Sequence, residues 1–275
     1  MKGCQMRTFR FATLSLSALM FGAFALPAMA EESEAEIAKK TQNPVANLIS
    51  VPFKVDYDQN IGPFEQGDKY QLTIQPVIPI SISEDWNVIS RTLVPVIDQK
   101  DFTPVSGSQK GFGDITPQFY FSPKAPTADG WIWGVGPQAL LRSGANDLTA
   151  DKWGLGPTGV LLKQEHGWTY GILANHMWSV GGSSSANDIN YTYLQPFLSF
   201  TTPRYTTYSI NSESTYNNET GKWSIPINTT ITQMLKVGGQ LITLTGGLRY
   251  WLDSPDNAGP KGWGFRFQMT LLFPK

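Results

Sequence analysis

This sequence of 275 residues is short of the groups that do most protein chemistry. It has one cysteine, Cys4, and two histidines, His166 and His176. A thiolate metal site is excluded, and two histidines far apart in sequence, with no thiol to join them, cannot form a zinc set. Charged residues make up only 16% of the chain. Beyond residue 30 no apolar run approaches the roughly 20 residues that a spanning helix needs. Basic residues are not in excess either. The 21 lysines and arginines, less Lys2, Arg7 and Arg10 of the first thirty residues, leave 18 against 22 acidic ones, which gives no footprint for nucleic acid.

What the chain does have begins with a leader. Lys2, Arg7 and Arg10 precede an apolar run from Phe11 to Leu26, and Pro27-Ala28-Met29-Ala30 closes it with the small residues that a signal peptidase accepts. The pattern predicts a Sec-type export signal at 1–30, cleaved near Ala30, with Met6 an equally good start. Cys4 lies inside the leader, away from any lipoprotein-type cleavage box, so the exported chain would hold no disulfide. Residues 31–46 are expected to form a short N-terminal periplasmic segment. Its acidic, Ala-rich part, 31–40, suits a short helix stopped before Asn43-Pro44, either docked at the mouth of the domain or free.

From residue 47 onward, segments of alternating polarity are separated by turn chemistry. They fall at about 47–57, 70–80, 86–97, 112–122, 131–141, 153–164, 168–180, 191–200, 205–216, 223–234, 240–251 and 263–273. In the last, Trp263, Phe265, Phe267, Met269, Leu271 and Phe273 share one face, while Gly264, Arg266, Gln268 and Thr270 share the other. Such alternation also suits a soluble sheet with its stripe on a core. Three further features favour a membrane barrel, whose strands alternate lipid-facing and lumen-facing residues. The segment number is even, long and short connections nearly alternate, and tryptophans gather at segment ends. The fold class expected is therefore all-β: a transmembrane antiparallel up-and-down β-barrel of about twelve strands over residues 47–275, with both termini on the periplasmic side. Trp86, Trp131, Trp153, Trp168, Trp178, Trp223, Trp251 and Trp263 are the candidate membrane-interface girdle, because indole settles where hydrocarbon meets headgroups.

Nine prolines disturb this pattern: Pro52, Pro76, Pro79, Pro95, Pro117, Pro137, Pro157, Pro196 and Pro226. Each removes a ladder donor, so bulges or shortened strands are expected beside them. Carried by register to the inner face are Lys54, Asp56, Arg91, Asp114, Glu213, Arg249 and Arg266, the candidate lumen lining. Gln71, Gln75, Gln118, Asn175, Gln195, Asn211 and Gln268 accompany them. If the last strand pairs with the first, Arg266 approaches Lys54 and Asp56. Such a set serves either as a selectivity lining or as a salt-bridge plug.

Several stretches carry a resemblance. Gln42-Asn43-Pro44-Val45-Ala46-Asn47-Leu48-Ile49-Ser50-Val51-Pro52-Phe53, Gln75-Pro76-Val77-Ile78-Pro79, Glu84-Asp85-Trp86-Asn87 and Gly111-Phe112-Gly113-Asp114-Ile115-Thr116-Pro117 are four of them. Trp133-Gly134-Val135-Gly136-Pro137, Lys152-Trp153-Gly154-Leu155-Gly156-Pro157, Leu194-Gln195-Pro196-Phe197 and the terminal Leu272-Phe273-Pro274-Lys275 are the others. Together they resemble a Gram-negative outer-membrane family often labelled neuromedin U, a misnomer, or transporter, and similar to MetA-pathway proteins of phenol degradation. The resemblance spans essentially the whole exported chain. It implies an outer-membrane barrel that passes small molecules, and it supplies no catalytic residues.

A channel for small solutes through a narrow polar lumen is thus the leading expectation, and a non-conducting structural or adhesive barrel the alternative. An outer-membrane lipid hydrolase would need a serine beside a histidine, yet His176 and Ser179 are three apart and fall on opposite strand faces. No enzyme, cofactor or metal is expected. The expected partners are outer-membrane lipid, lipopolysaccharide, the barrel-assembly machinery and an unidentified solute. Acidic outer loops, with Asp58, Asp68, Asp98, Asp101, Asp147, Asp151, Asp188, Asp253 and Asp256, are either a solvated surface or a bridge through divalent cations to lipopolysaccharide phosphates.

Overall fold

The computed structural model describes residues 33–102, 107–145 and 147–274, and the export signal expected at 1–30 lies outside them. One helix, α1 (Glu34–Lys40), precedes the sheet. Ser33 caps it by accepting from the Glu36 N–H, with Glu34 and Glu36 in the first turn and Lys39 and Lys40 in the last, the placement the helix dipole favours.

Twelve antiparallel strands follow: β1 (Ile49–Ile61), β2 (Gly67–Ile74, then Val77–Ser81), β3 (Trp86–Lys100), β4 (Ser108–Phe112, then Thr116–Pro123), β5 (Trp131–Leu140) and β6 (Lys152–Glu165). The others are β7 (Trp168–Gly182), β8 (Asn190–Thr201), β9 (Thr206–Ser212, then Ser214–Asn217), β10 (Lys222–Val237), β11 (Gln240–Asp253) and β12 (Gly262–Phe273). Each pairs with its sequence neighbour, and β12 closes on β1 from Ile49↔Phe273 to Tyr57↔Phe265. The result is a closed up-and-down barrel with no free edge, the arrangement that satisfies every ladder without water.

Bulges or breaks accompany only some of the prolines, since Pro52, Pro117 and Pro196 stand in unshifted register opposite Thr270, Thr92 and Ile172. Pro76 sits in the break of β2, Pro137 and Pro157 face each other across β5 and β6, and the register slips beside Pro226. In β4, residues 113–115 leave the ladder between Val96↔Phe112 and Leu93↔Thr116, so the register shifts there by one residue.

Connections are short at the end of the barrel that carries both strand termini, hereafter the terminal end. His166-Gly167 and Gly238-Gly239, all at positive φ, make two-residue turns there. At the opposite, loop end the strands run farther than the alternation predicts. β1 continues through Asp58 to Ile61, and β3 to Lys100. Asp58 has a loop-like residue type, but it turns inward and is only 2% exposed, so a carboxylate that composition assigns to solvent belongs to the lumen.

The two apolar clusters inside the barrel lie toward the terminal end. Ile37 and Ala38 of α1, with Ala46 and Leu48, bury against Met234, Leu241 and Leu272. Across the mouth, Val45 joins Ile89, Tyr120, Val160, Leu162 and Leu173. Gln164 Nε2 donates to the Lys39 carbonyl at 2.9 Å. Residues 33–48 therefore cross the terminal mouth and dock on both walls. Outside, the barrel is apolar: Phe265 and Phe267 are each 54% exposed, and Phe121, Leu155, Ile172, Ile210 and Leu248 share that surface.

Candidate functional site

Above the apolar floor the lumen is polar, and its middle is an ion-pair network built by register. Asp56 lies opposite Arg266 across the β1–β12 seam. Arg266 donates Nε and Nη2 to the two Asp56 oxygens at 2.6 and 3.1 Å, and Nη2 and Nη1 to Glu213 at 2.7 and 3.0 Å. This forked geometry is what a guanidinium offers and an ammonium does not. Lys54 adds a 3.3 Å bond to Glu213 and stands 3.7 Å from Asp56. Glu213 reaches the network by parity with Asn211, because the register of β9 on both neighbours runs unchanged through the interruption between Ser212 and Ser214.

Toward the loop end, Arg249 lies 3.4 Å from both Asp56 and Asp58. Asp58 also accepts from the Trp251 indole at 2.8 Å, and the Arg249 guanidinium carbon sits 4.6 Å from the Trp251 ring centre. Lys69 faces Asp58 across β1 and β2.

The structure thus gathers Lys54, Asp56, Glu213, Arg249 and Arg266 into one cluster, to which Asp58, Lys69 and Trp251 belong as well. Sequence reasoning missed Asp58 and Lys69 by reading their surroundings as a loop. Parity with Asp56 and Gln71 was the signal available. Trp251 corrects an expectation outright. It shares the parity of Arg249 and points into the lumen, so it is not part of an outer girdle. Trp86, Trp153, Trp168, Trp178 and Trp263 are exposed, and Trp168 packs on Phe200, Trp223 on Tyr216 and Trp263 on Tyr250.

Asp114 and Arg91 stand apart from the cluster. Asp114 accepts from the Ser143, Gly144 and Ala150 N–H groups and from the Thr149 hydroxyl, so its carboxylate pins the β5–β6 loop. Arg91, by contrast, makes one side-chain hydrogen bond, from Nη2 to Gln75 Oε1 at 3.2 Å, and its buried Nε has no partner.

Two chambers meet at this level. One, of about 240 Å³, lies toward the terminal end beneath Thr41, Gln42 and Pro44, with a hydroxyl-rich wall that includes Ser209, Thr230, Thr245 and Thr270. The other, of about 270 Å³, is lined by Gln71, Asp114, Asn175, Tyr191 and Tyr193 among others. Lys54, Gln75, Arg91 and Glu213 line both, and form the septum between them.

Other sequence candidates separate. His176 and Ser179 occupy opposite faces of β7. His176 bonds Thr192 at 3.0 Å beside Trp178, and Ser179 donates to Asp188. Of the outer aspartates, Asp68 pairs with Lys100, Asp98 with Lys110 and Asp151 with Arg142. Asp188 pairs with Lys152, and hydrogen bonds from Lys152 and Ser179 hold its carboxyl below the usual range. Among the described residues no group of three or more histidine, cysteine or acidic side chains is placed to hold a metal ion.

No family model matches the chain, and no curated protein matches it in sequence. Solved structures do match. An outer-membrane channel from Pseudomonas putida F1 superposes with a TM-score of 0.64 at 11% identity, over 82% of this chain and 96% of that one. A Salmonella typhi outer-membrane phospholipase dimer with bound calcium gives 0.47 at 8% identity, over 82% and 91%. Pseudomonas putida OprB gives 0.31 at 10% identity, over 82% and 91%. At these identities the first match establishes the fold, that of an outer-membrane β-barrel.

Proposed function

We propose that this chain is an outer-membrane channel for small solutes, with its terminal end toward the periplasm. The observation that carries the reading is the pair of chambers within a closed barrel, joined at a septum of Lys54, Gln75, Arg91 and Glu213. Twelve strands enclose a narrower lumen than the 16 to 18 of open porins, so side chains at the septum would set what passes. The superposition on an outer-membrane channel and the motif resemblance to the family labelled neuromedin U accord with it. An enzymatic role has less support, since a nucleophile and base on opposite faces of one strand cannot share a proton. Exported by its leader, the chain would meet the barrel-assembly machinery, lipid and lipopolysaccharide.

The N-terminal segment across the mouth supports a second reading, a barrel held closed. Planar bilayers distinguish the two. The purified protein is expected to pass current in potassium chloride, and deletion of residues 33–46 is expected to raise it. Absence of current and of solute flux in both forms would sink the channel and leave the structural barrel.

A further inference from the structure

Most charge in the middle of the lumen is internally matched. Asp56, Asp58 and Glu213 each lie within 4.0 Å of Lys54, Arg249 or Arg266, and the Asp114 carboxylate is engaged by loop N–H groups and a hydroxyl. Arg91 is different. Its guanidinium has no carboxylate partner among the described residues, and its one side-chain bond there runs to a neutral amide; its Nε, like that of Arg249, is buried without a hydrogen-bond acceptor. A partly buried guanidinium with no carboxylate beside it presents an unneutralised charge to the space it lines.

The neighbouring amides make the same demand. Gln75 spends its oxygen on Arg91, and Gln195 spends its oxygen on the Tyr193 hydroxyl at 3.0 Å. Both thereby turn their NH₂ groups to other partners, and both line the terminal-end chamber with Arg91. The same three side chains also line a smaller space of about 170 Å³ under Gln42, Pro44 and Ala46. Arg91, Gln75 and Gln195 therefore bring more donors than acceptors to this corner, each amide oxygen already holding one of its two bonds. A carboxylate, which only accepts, suits that donor-rich corner. The single charge of Arg91 suits a monoanion.

We propose that Arg91, with the amide groups of Gln75 and Gln195, forms a seat for the carboxylate of a small monoanionic solute in the lumen. The inference deepens the channel reading by naming its solute class, and it rests on that reading for the solute's passage but not for its binding. The fork of Arg91 is central, because two parallel N–H bonds distinguish a carboxylate from a spherical anion such as chloride.

The test uses carbon-13 acetate with the full exported chain folded in detergent, binding being read from acetate line broadening at fixed chloride. Acetate is expected to bind the wild type. Arg91→Gln and Arg91→Lys are both expected to bind it about tenfold more weakly, the lysine because it keeps the charge but loses the fork. Gln195→Leu, which leaves Arg91 in place, is expected to weaken binding by a smaller factor, and heat-modifiable gel migration checks that each variant is folded. Absence of acetate binding to the wild type, or wild-type affinity in Arg91→Lys, overturns the seat. The parallel bilayer recording separates the two claims. Arg91-dependent binding without current leaves the seat standing and removes the channel, whereas current with no acetate binding does the reverse.

Discussion

The lumen is obstructed at two levels by different physics. At the terminal mouth the obstruction is apolar: Ile37, Ala38 and Leu48 lie on Met234, Leu241 and Leu272, with Val45 against Ile89 and Tyr120. At the middle it is ionic, with Asp56 and Glu213 on Arg266 and Lys54. Apolar packing is non-directional and is lost gradually as contacts are trimmed. A desolvated charge pair is nearly neutral when intact but strongly destabilising when one member is removed, since the survivor stays buried and unmatched. The mouth can therefore be loosened in steps, whereas the middle holds or fails as a unit.

Three substitutions test that contrast, the strongest first. Arg266→Ala removes the forked bonds to Asp56 and Glu213, leaves those two carboxylates to share Lys54 with Arg249 beside Asp56, and is expected to cost about 3 kcal/mol in denaturant unfolding of the detergent-folded barrel. Adding Glu213→Gln to it, which leaves Asp56 to Lys54 and Arg249, should recover much of the loss. If Arg266→Ala alone is neutral, the network is not the structural unit described. Leu272→Ala, at a side chain 1% exposed beneath the N-terminal segment, is expected to cost about 2–3 kcal/mol, toward the lower end for a buried leucine, because the docked segment can settle into the space. It should also make residues 33–48 more susceptible to protease, and unchanged protection would contradict the docking. Trp251→Phe retains the ring over Arg249 but removes the indole bond to Asp58, for an expected cost of about 1 kcal/mol. A shift in tryptophan emission of the size expected for a lipid-exposed indole would count against its inward placement.

The strand count, the antiparallel order and most boundaries were legible because period-two alternation and turn chemistry are local. Phe265 and Arg266 declare opposite faces whatever lies beyond them. Errors arose where composition stood in for geometry. Asp58 and Lys69 occupy a polar stretch that reads as a loop, yet inside a barrel a polar stretch is equally a lumen-facing strand. Trp251 sits at a strand end, where indole settles at an interface, but its parity with Arg249 turns it inward. Position along a strand and facing are independent, and only the second decides what an indole touches. The opposite-face placement of His176 and Ser179 needed nothing beyond parity.

By itself, the sequence determined a twelve-segment alternating chain with an acceptor-rich and cation-bearing inner face, because side-chain direction in a strand follows from residue order alone. Tertiary structure decided which of those inner groups meet. Asp56 finds Arg266 only because β12 closes on β1 in one register, and Glu213 joins them only because closure brings β9 across the lumen from that seam. Arg91 is left without a carboxylate for the same reason. Ion pairing depends on distances across the ring, and those are fixed by closure and register rather than by neighbours in the chain.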